Sequence, residues 1–223
     1  MTALTLYSNY VNSAGERVRI AMALKGIEYE YVSVGQIGRA AYAKINPQGL
    51  MPALSIDGRI VQQATAILEW LEETYPDPPL LPADPILRAQ ARGFAQAITS
   101  EMHAIDVIRV RRFLADDLGI EDDGITRWQM NWFHVGFRAL EEILRRRDTA
   151  WLCCFGDTPG WADLHLIPQV QKGLTRFNVD MSEYPLINGI YEACGNHPAF
   201  VAARPQNQSD WPGQIIEPAI PPE

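Results

Sequence analysis

"YSNYVNSAGERVRIAMALKG" (residues 7–26) decides the fold. Its first residues close an alternating stretch, "ALTLYS" (3–8), which reads as a strand. Small polar residues follow. From Ser13 the spacing of Val18, Ile20, Ala21 and Leu24 suits one face of a helix, which Gly26 ends. "EYEYVSV" (28–34) alternates again, with Tyr and Val, and is a second strand. Strand, helix, strand within about 30 residues is a βαβ unit, whose crossover is right-handed.

Further along, residues 35–50 read as a loop with one helical turn at most. "PALSIDGRIVQ" (52–62) then gives two short strands around Asp57-Gly58, a strong two-residue hairpin signal. "ATAILEWLEETY" (64–75) is a helix with Ile67, Leu68 and Leu71 toward a core. The order β-α-β, then β-β-α, is a small α/β domain of the thioredoxin kind. "PDPPLLPAD" (76–84) has four prolines in nine residues, which excludes helix and central strand, so it is read as a linker. Beyond it the pattern turns to helices, expected near 86–118, 124–147, 160–175, 184–194 and 197–203. The fold class is therefore α/β plus all-α. The expected domains are 1–78, thioredoxin-like, and 86–203, all-helical, with an irregular tail over 204–223.

The chain has 223 residues and a formal net charge of -8, which argues against nucleic acid and against an anionic membrane surface as partners. No apolar run approaches the roughly 18 residues that span a bilayer. "MTALTLYSNY" carries no basic-then-apolar signal, and Cys153, Cys154 and Cys194 lack C-x-x-C spacing, so a cytoplasmic location is expected. The adjacent Cys153-Cys154 pair is read as small buried hydrophobes in preference to a redox feature. No metal site is expected, because His103, His134, His165 and His197 have no neighbouring ligand pattern.

Ser13 and Glu16 have the spacing of a capping box. The residues alone leave two readings of Ser13: a plain N-cap, or a hydroxyl at a helix start that holds an anion.

The stretches "RVRIAMALKGIEYEYV" (17–32), "INPQGLMPAL" (45–54), "AILEWLEETYP" (66–76), "LLPADP" (80–85), "GDTPGWADLHLIPQV" (156–170) and "RFNVDMSEYPLI" (176–187) resemble the cytosolic glutathione transferases. The likeness is to the zeta class, with its maleylacetoacetate and maleylpyruvate isomerases. The resemblance implies that the first domain binds glutathione and that the helical one supplies the pocket for a small electrophile. It also implies a homodimer.

By the same resemblance, Asn12, Ser13 and Ala14 stand where zeta members carry Ser-Ser-Cys. Ser13 keeps a hydroxyl able to stabilise the thiolate, and Asn12 offers an amide N–H beside it. The helix dipole and unpaired N–H groups would lower the thiol pKa there. Pro52, after Met51, matches the proline whose peptide bond is cis in this fold, next to backbone that meets the cysteinyl part of glutathione. Gln63, Ala64 and Thr65 stand where the γ-glutamyl carboxylate is held. Ala64 replaces a serine there, a loss of one charged hydrogen bond worth roughly 1.5–3 kcal/mol. His103, Arg109 and Arg111 lie along one segment expected to face the cleft, and Arg109 resembles a substrate-side arginine. Arg176, in "RF.VD", matches an arginine near the substrate carboxylate. A surface ion pair accounts for Arg176 equally simply, and a solvated charged face is the preferred reading of the segment with His103, Arg109 and Arg111. Asp163 resembles a buried aspartate that caps a core helix, with Gly160 in place of the usual Ser or Thr.

These changes at positions facing glutathione, together with Val11 in place of a family arginine, favour thiolate addition and transfer to a carboxylated unsaturated electrophile. The alternatives are a cis–trans isomerase of the maleylacetoacetate/maleylpyruvate type and a non-catalytic binding protein on the same fold.

Overall fold

A computed structural model describes residues 2–215. The chain divides into two compact units, Met1–Leu80 with Asn196–Ile216, and Leu81–Gly195. In the first, β1 (Leu4–Ser8), α1 (Ser13–Leu24) and β2 (Glu30–Ser33) form the expected βαβ unit, with β1 and β2 parallel. The region read as a loop holds two short helices, α2 (Val34–Ile37) and α3 (Arg39–Ile45). The hairpin of β3 (Ala53–Ile56) and β4 (Arg59–Gln62) turns at Asp57 and Gly58, with φ of 48° and 82°. Two positive φ values are what a turn matching the strand twist demands. α4 (Ala64–Thr74) follows and buries Ile67, Leu68 and Leu71. The sheet order is β2-β1-β3-β4.

α1 is buried from Ala14 to Met22. Its approach to the sheet is close at Gly15, where a Cβ would lie 2.0 Å from Ser8 Oγ. Lys25 closes the far end of α1: its ammonium pairs with Glu72 at 2.8 Å and donates to the carbonyls of Tyr75 and Pro78. That ties down the start of the proline-rich stretch read as a linker.

The second unit holds α5 (Pro85–Ile98), α6 (Ile108–Arg112), α7 (Asp122–Leu144), α8 (Trp161–Phe177) and α9 (Pro185–Gly195). The single helix expected over 86–118 is broken. π-helical turns occupy Thr99–His103 and Phe113–Asp117, and the chain opens at 104–107. The cause is tertiary. Asp106 is buried against Lys172 and Gln129, and the Ile105 carbonyl accepts from Trp128 Nε1 at 3.0 Å. Asp163 caps α8 as expected, accepting from the amides of Gly160 at 2.9 Å and Cys154 at 2.8 Å.

α10 (Pro198–Ala203), expected with the helical domain, belongs to the first unit instead. Arg19 of α1 donates to the Ala203 carbonyl from Nε at 3.1 Å and Nη2 at 2.9 Å. The tail read as irregular contains a 3-10 turn, Pro205–Asn207; residues 216–223 lie outside the described residues. Among the described residues, no helix is long and apolar enough to cross a membrane.

Candidate functional site

Strand register gathers three of the candidate segments of the first unit. Tyr7 pairs with Ala53, and Ala53 pairs with Gln62. The end of β1 that leads to α1, the Met51-Pro52 bond that leads into β3, and the end of β4 that leads to α4 therefore share one edge of the sheet. In sheets of this kind that edge is where ligands are bound.

Ser13 is not the cap of α1. Asn12 is: its side-chain oxygen accepts from the Gly15 amide, and its backbone is extended, as an N-cap requires. Ser13 is the first helical residue, half-buried, and its hydroxyl makes no hydrogen bond among the described residues. Glu16 does not reach back to complete a capping box. It is buried, and burial pushes its carboxyl up to about 7 against the opposing charges of Arg19, Arg17 and Arg204. Arg17, buried beside it, is pushed down to about 10 by burial, with Glu16 opposing.

The Met51-Pro52 bond is cis, as expected. The loop before it is fixed by polar side chains: the Leu50 carbonyl accepts from Tyr42 Oη at 2.7 Å and Asn46 Nδ2 at 2.6 Å. Gln63 sits at φ 71°, a left-handed conformation sparsely used by residues other than glycine. It makes no cap to α4; its amide donates to Gln48 Oε1 at 2.8 Å. Ala64 and Thr65 open α4, whose first amides have no side-chain cap. A helix start left this way suits an anion.

In the second unit, Arg109 is exposed on α6, while His103 and Arg176 are half-buried. Arg176 and Arg111 both bear on one buried group. Both act on Lys172, whose ammonium burial shifts down; Asp106 opposes that shift, and Arg176 and Arg111 add to it. The sequence offered no signal for Asp106, Gln129 and Lys172 as one buried cluster. A further grouping was not foreseen: Cys153, Asp163 and Cys194 bring three ligand-type atoms within 4.8 Å of one another. Both Asp163 oxygens already accept backbone amides, and burial raises the Cys154 thiol pKa. The hydrogen bond that the Cys194 thiol makes with Cys153, together with burial, raises the Cys194 pKa.

Residues 6–79 match the family described as glutathione S-transferase, N-terminal domain. The chain is 39% identical over 212 residues to a maleylpyruvate isomerase from a Ralstonia species, covering 93% of this chain and 99% of that protein. It is 38% identical over 216 residues to the maleylacetoacetate isomerase of Pseudomonas aeruginosa, with coverage of 94% and 99%. Among solved structures, a maleylacetoacetate isomerase from Anaeromyxobacter dehalogenans with GSH bound in its active site superposes with a TM-score of 0.84. It shares 35% identity, over 95% of this chain and 99% of that one.

Proposed function

Because this chain belongs to the glutathione S-transferase family, in the group of its zeta class, we propose that it is a glutathione-dependent cis–trans isomerase of a small unsaturated carboxylic acid. The observation that carries the reading is the shared sheet edge: a helix start with an unengaged hydroxyl, the Met51-Pro52 bond and an uncapped helix start lie side by side. Such an edge fits a tripeptide that carries a thiol in its middle and a carboxylate at its γ-glutamyl end. Isomerisation is preferred to the transfer reaction that the substitutions at positions 11–14 favour on sequence alone. Two relatives that match nearly end to end are named as isomerases of maleyl acids.

Glutathione, when bound, supplies a thiolate that adds reversibly to the double bond and so permits rotation about it. Ser13 donates its hydroxyl to the sulfur, and the first turn of α1 holds the negative charge. Asn12 fixes that turn by its cap and leaves its amide N–H groups toward solvent or ligand. Gln63, Ala64 and Thr65 hold the γ-glutamyl carboxylate through the first amides of α4, and the Met51 backbone pairs with the cysteinyl part. In the helical unit, Arg176 binds the substrate carboxylate on this reading, with His103 as a further substrate-side candidate. Arg109 is exposed, and its part is electrostatic attraction of the acid. The protein acts in the cytoplasm as a homodimer on this reading, which sedimentation tests.

The deciding experiment measures glutathione affinity by calorimetry and the conversion of maleyl to fumaryl acids with and without glutathione. Glutathione-dependent conversion supports the isomerase. Conjugates accumulating with aryl or maleyl electrophiles would return the reading to transfer. Binding without any turnover would leave a binding protein.

A further inference from the structure

We infer that Asp210, far along the chain in the segment after α10, is a positioning residue for the start of α1 and through it for the thiol. The inference rests on the reading that Ser13 acts on the glutathione sulfur. The Asp210 carboxylate accepts from the Tyr10 backbone amide at 3.2 Å, from Ser33 Oγ at 2.7 Å and from Tyr31 Oη at 3.0 Å. The ring of the next residue, Trp211, meets the Tyr10 ring edge-on at 5.4 Å. Tyr10 belongs to the short turn that delivers Asn12 and Ser13.

The same turn is held from its other side. Arg19 donates to the carbonyls of Asn9 and Tyr10, both at 3.4 Å, while its guanidinium is anchored on the Ala203 carbonyl. An amide and two carbonyls of the turn are thus gripped by charged groups of opposite sign. Charged partners make the stronger hydrogen bonds. Arg19 belongs to α1 but is itself anchored on Ala203, and the grip on the Tyr10 amide comes from Asp210, so the segment from Ala203 to Trp211 helps set where the helix begins. Burial, with Asp210 adding and Arg19 opposing, raises the Tyr31 phenol pKa, so it remains a donor to Asp210 at neutral pH. The groups whose charge bears on the turn are Asp210, Arg19, Glu16 and Arg204.

The test compares full-length wild type with Asp210→Ala, Asp210→Asn and Gln208→Ala. Gln208 braces the same segment, donating to the carbonyls of Ala202 and Arg204, and among the described residues it makes no hydrogen bond to residues 9–11. Two quantities are read: hydrogen exchange of the peptide over residues 9–16, and the pH midpoint of thiolate absorbance of bound glutathione. Asp210→Ala is expected to speed exchange there at least about tenfold, and to raise the midpoint by about one unit, tenfold less thiolate at low pH. Asp210→Asn, which keeps one acceptor oxygen, falls between. Gln208→Ala loses stability but leaves both readouts at the wild-type values. Exchange in Asp210→Ala no faster than in Gln208→Ala overturns the inference, as does an unchanged midpoint in a protein that binds glutathione. If wild type binds no glutathione, the proposed function falls, and exchange alone decides whether Asp210 positions the turn. Should Asp210→Ala fail to fold, Asp210→Asn against Gln208→Ala is read by the same criteria.

Discussion

The side-chain oxygen of Asn12 accepts from the Gly15 backbone N–H, and this one bond separates capping from chemistry at the start of α1. Had Ser13 been the cap, its hydroxyl would be committed to an amide of its own helix. With Asn12 in that place, Ser13 enters the first turn with its oxygen uncommitted, among amides whose dipoles favour an anion. The departure from Ser-Ser-Cys thus leaves one hydroxyl available.

Substitution should separate the two roles. Ser13→Ala is expected to leave stability within about 0.5 kcal/mol of wild type, because no cap is lost. Its turnover should fall on the order of a hundredfold, the effect of removing one donor to a developing anion. Asn12→Ala should instead cost about 1 kcal/mol of stability. Denaturant unfolding and steady-state rates on the two proteins check this. A stability loss in Ser13→Ala as large as that in Asn12→Ala would refute the assignment of the cap.

Gly15 is needed for space rather than for its backbone freedom. A methyl group there would stand 2.0 Å from Ser8 Oγ and 2.9 Å from Asn12 Oδ1. Ser8 is fully buried, so it cannot swing into solvent. Gly15→Ala is therefore expected to push α1 from β1 and to disturb the Asn12 cap. The cost should be about 1–3 kcal/mol, as for other overpacked sites. Thermal unfolding measures it, and a variant as stable as wild type would contradict the packing.

Glu16 makes stability depend on pH in the direction opposite to a salt-bridged carboxylate. Its carboxyl moves from 4.5 when unfolded to about 7 when folded. The protonated form is the one folding favours, so its contribution is fully present below 4.5 and is lost as the pH rises to about 7. At 1.36 kcal/mol per unit, the loss across that window is on the order of 3 kcal/mol. Glu16→Gln, which carries no charge to bury, should gain stability relative to wild type between pH 5 and pH 8. Urea midpoints of both proteins across that range report the difference; parallel curves would refute the shift.

Much of the first unit was legible because its signals are local. Asp57-Gly58 supplies the two positive φ values of the hairpin by itself, and Gly26 follows the last turn of α1 with φ 64°. What was misread depends on contacts distant in sequence. Asn12 and Ser13 are both good caps, and only the packing of Glu16 into the interior decides between them. The break in the helix after Ile98 follows from Asp106 meeting Lys172, 66 residues away. The segment after Ala203 lacks hydrophobic periodicity, so its attachment through Asp210 and Trp211 left no trace in pattern.

Asp106 and Lys172 carry the last prediction. The Asp106 side chain is fully buried, and that of Lys172 is 9% exposed. Gln129 donates to the other Asp106 oxygen, so the carboxylate is satisfied on both sides. Breaking such a pair by removing one partner strands the other charge, at a cost of about 3–5 kcal/mol. Asp106→Asn should therefore be strongly destabilised at neutral pH, because Lys172 then stays buried near Arg176 and Arg111 without the carboxylate that opposes the lowering of its pKa. Burial already depresses the Lys172 pKa, and loss of Asp106 depresses it further. A base with a depressed folded pKa regains stability as the pH rises toward its unfolded value of 10.5. The deficit of Asp106→Asn against wild type should accordingly shrink between pH 7 and pH 10. The double variant Asp106→Asn with Lys172→Met should be more stable at neutral pH than Asp106→Asn alone. Unfolding by urea at the two pH values tests both statements, and a deficit that does not change with pH would show that Lys172 is not the charge left stranded.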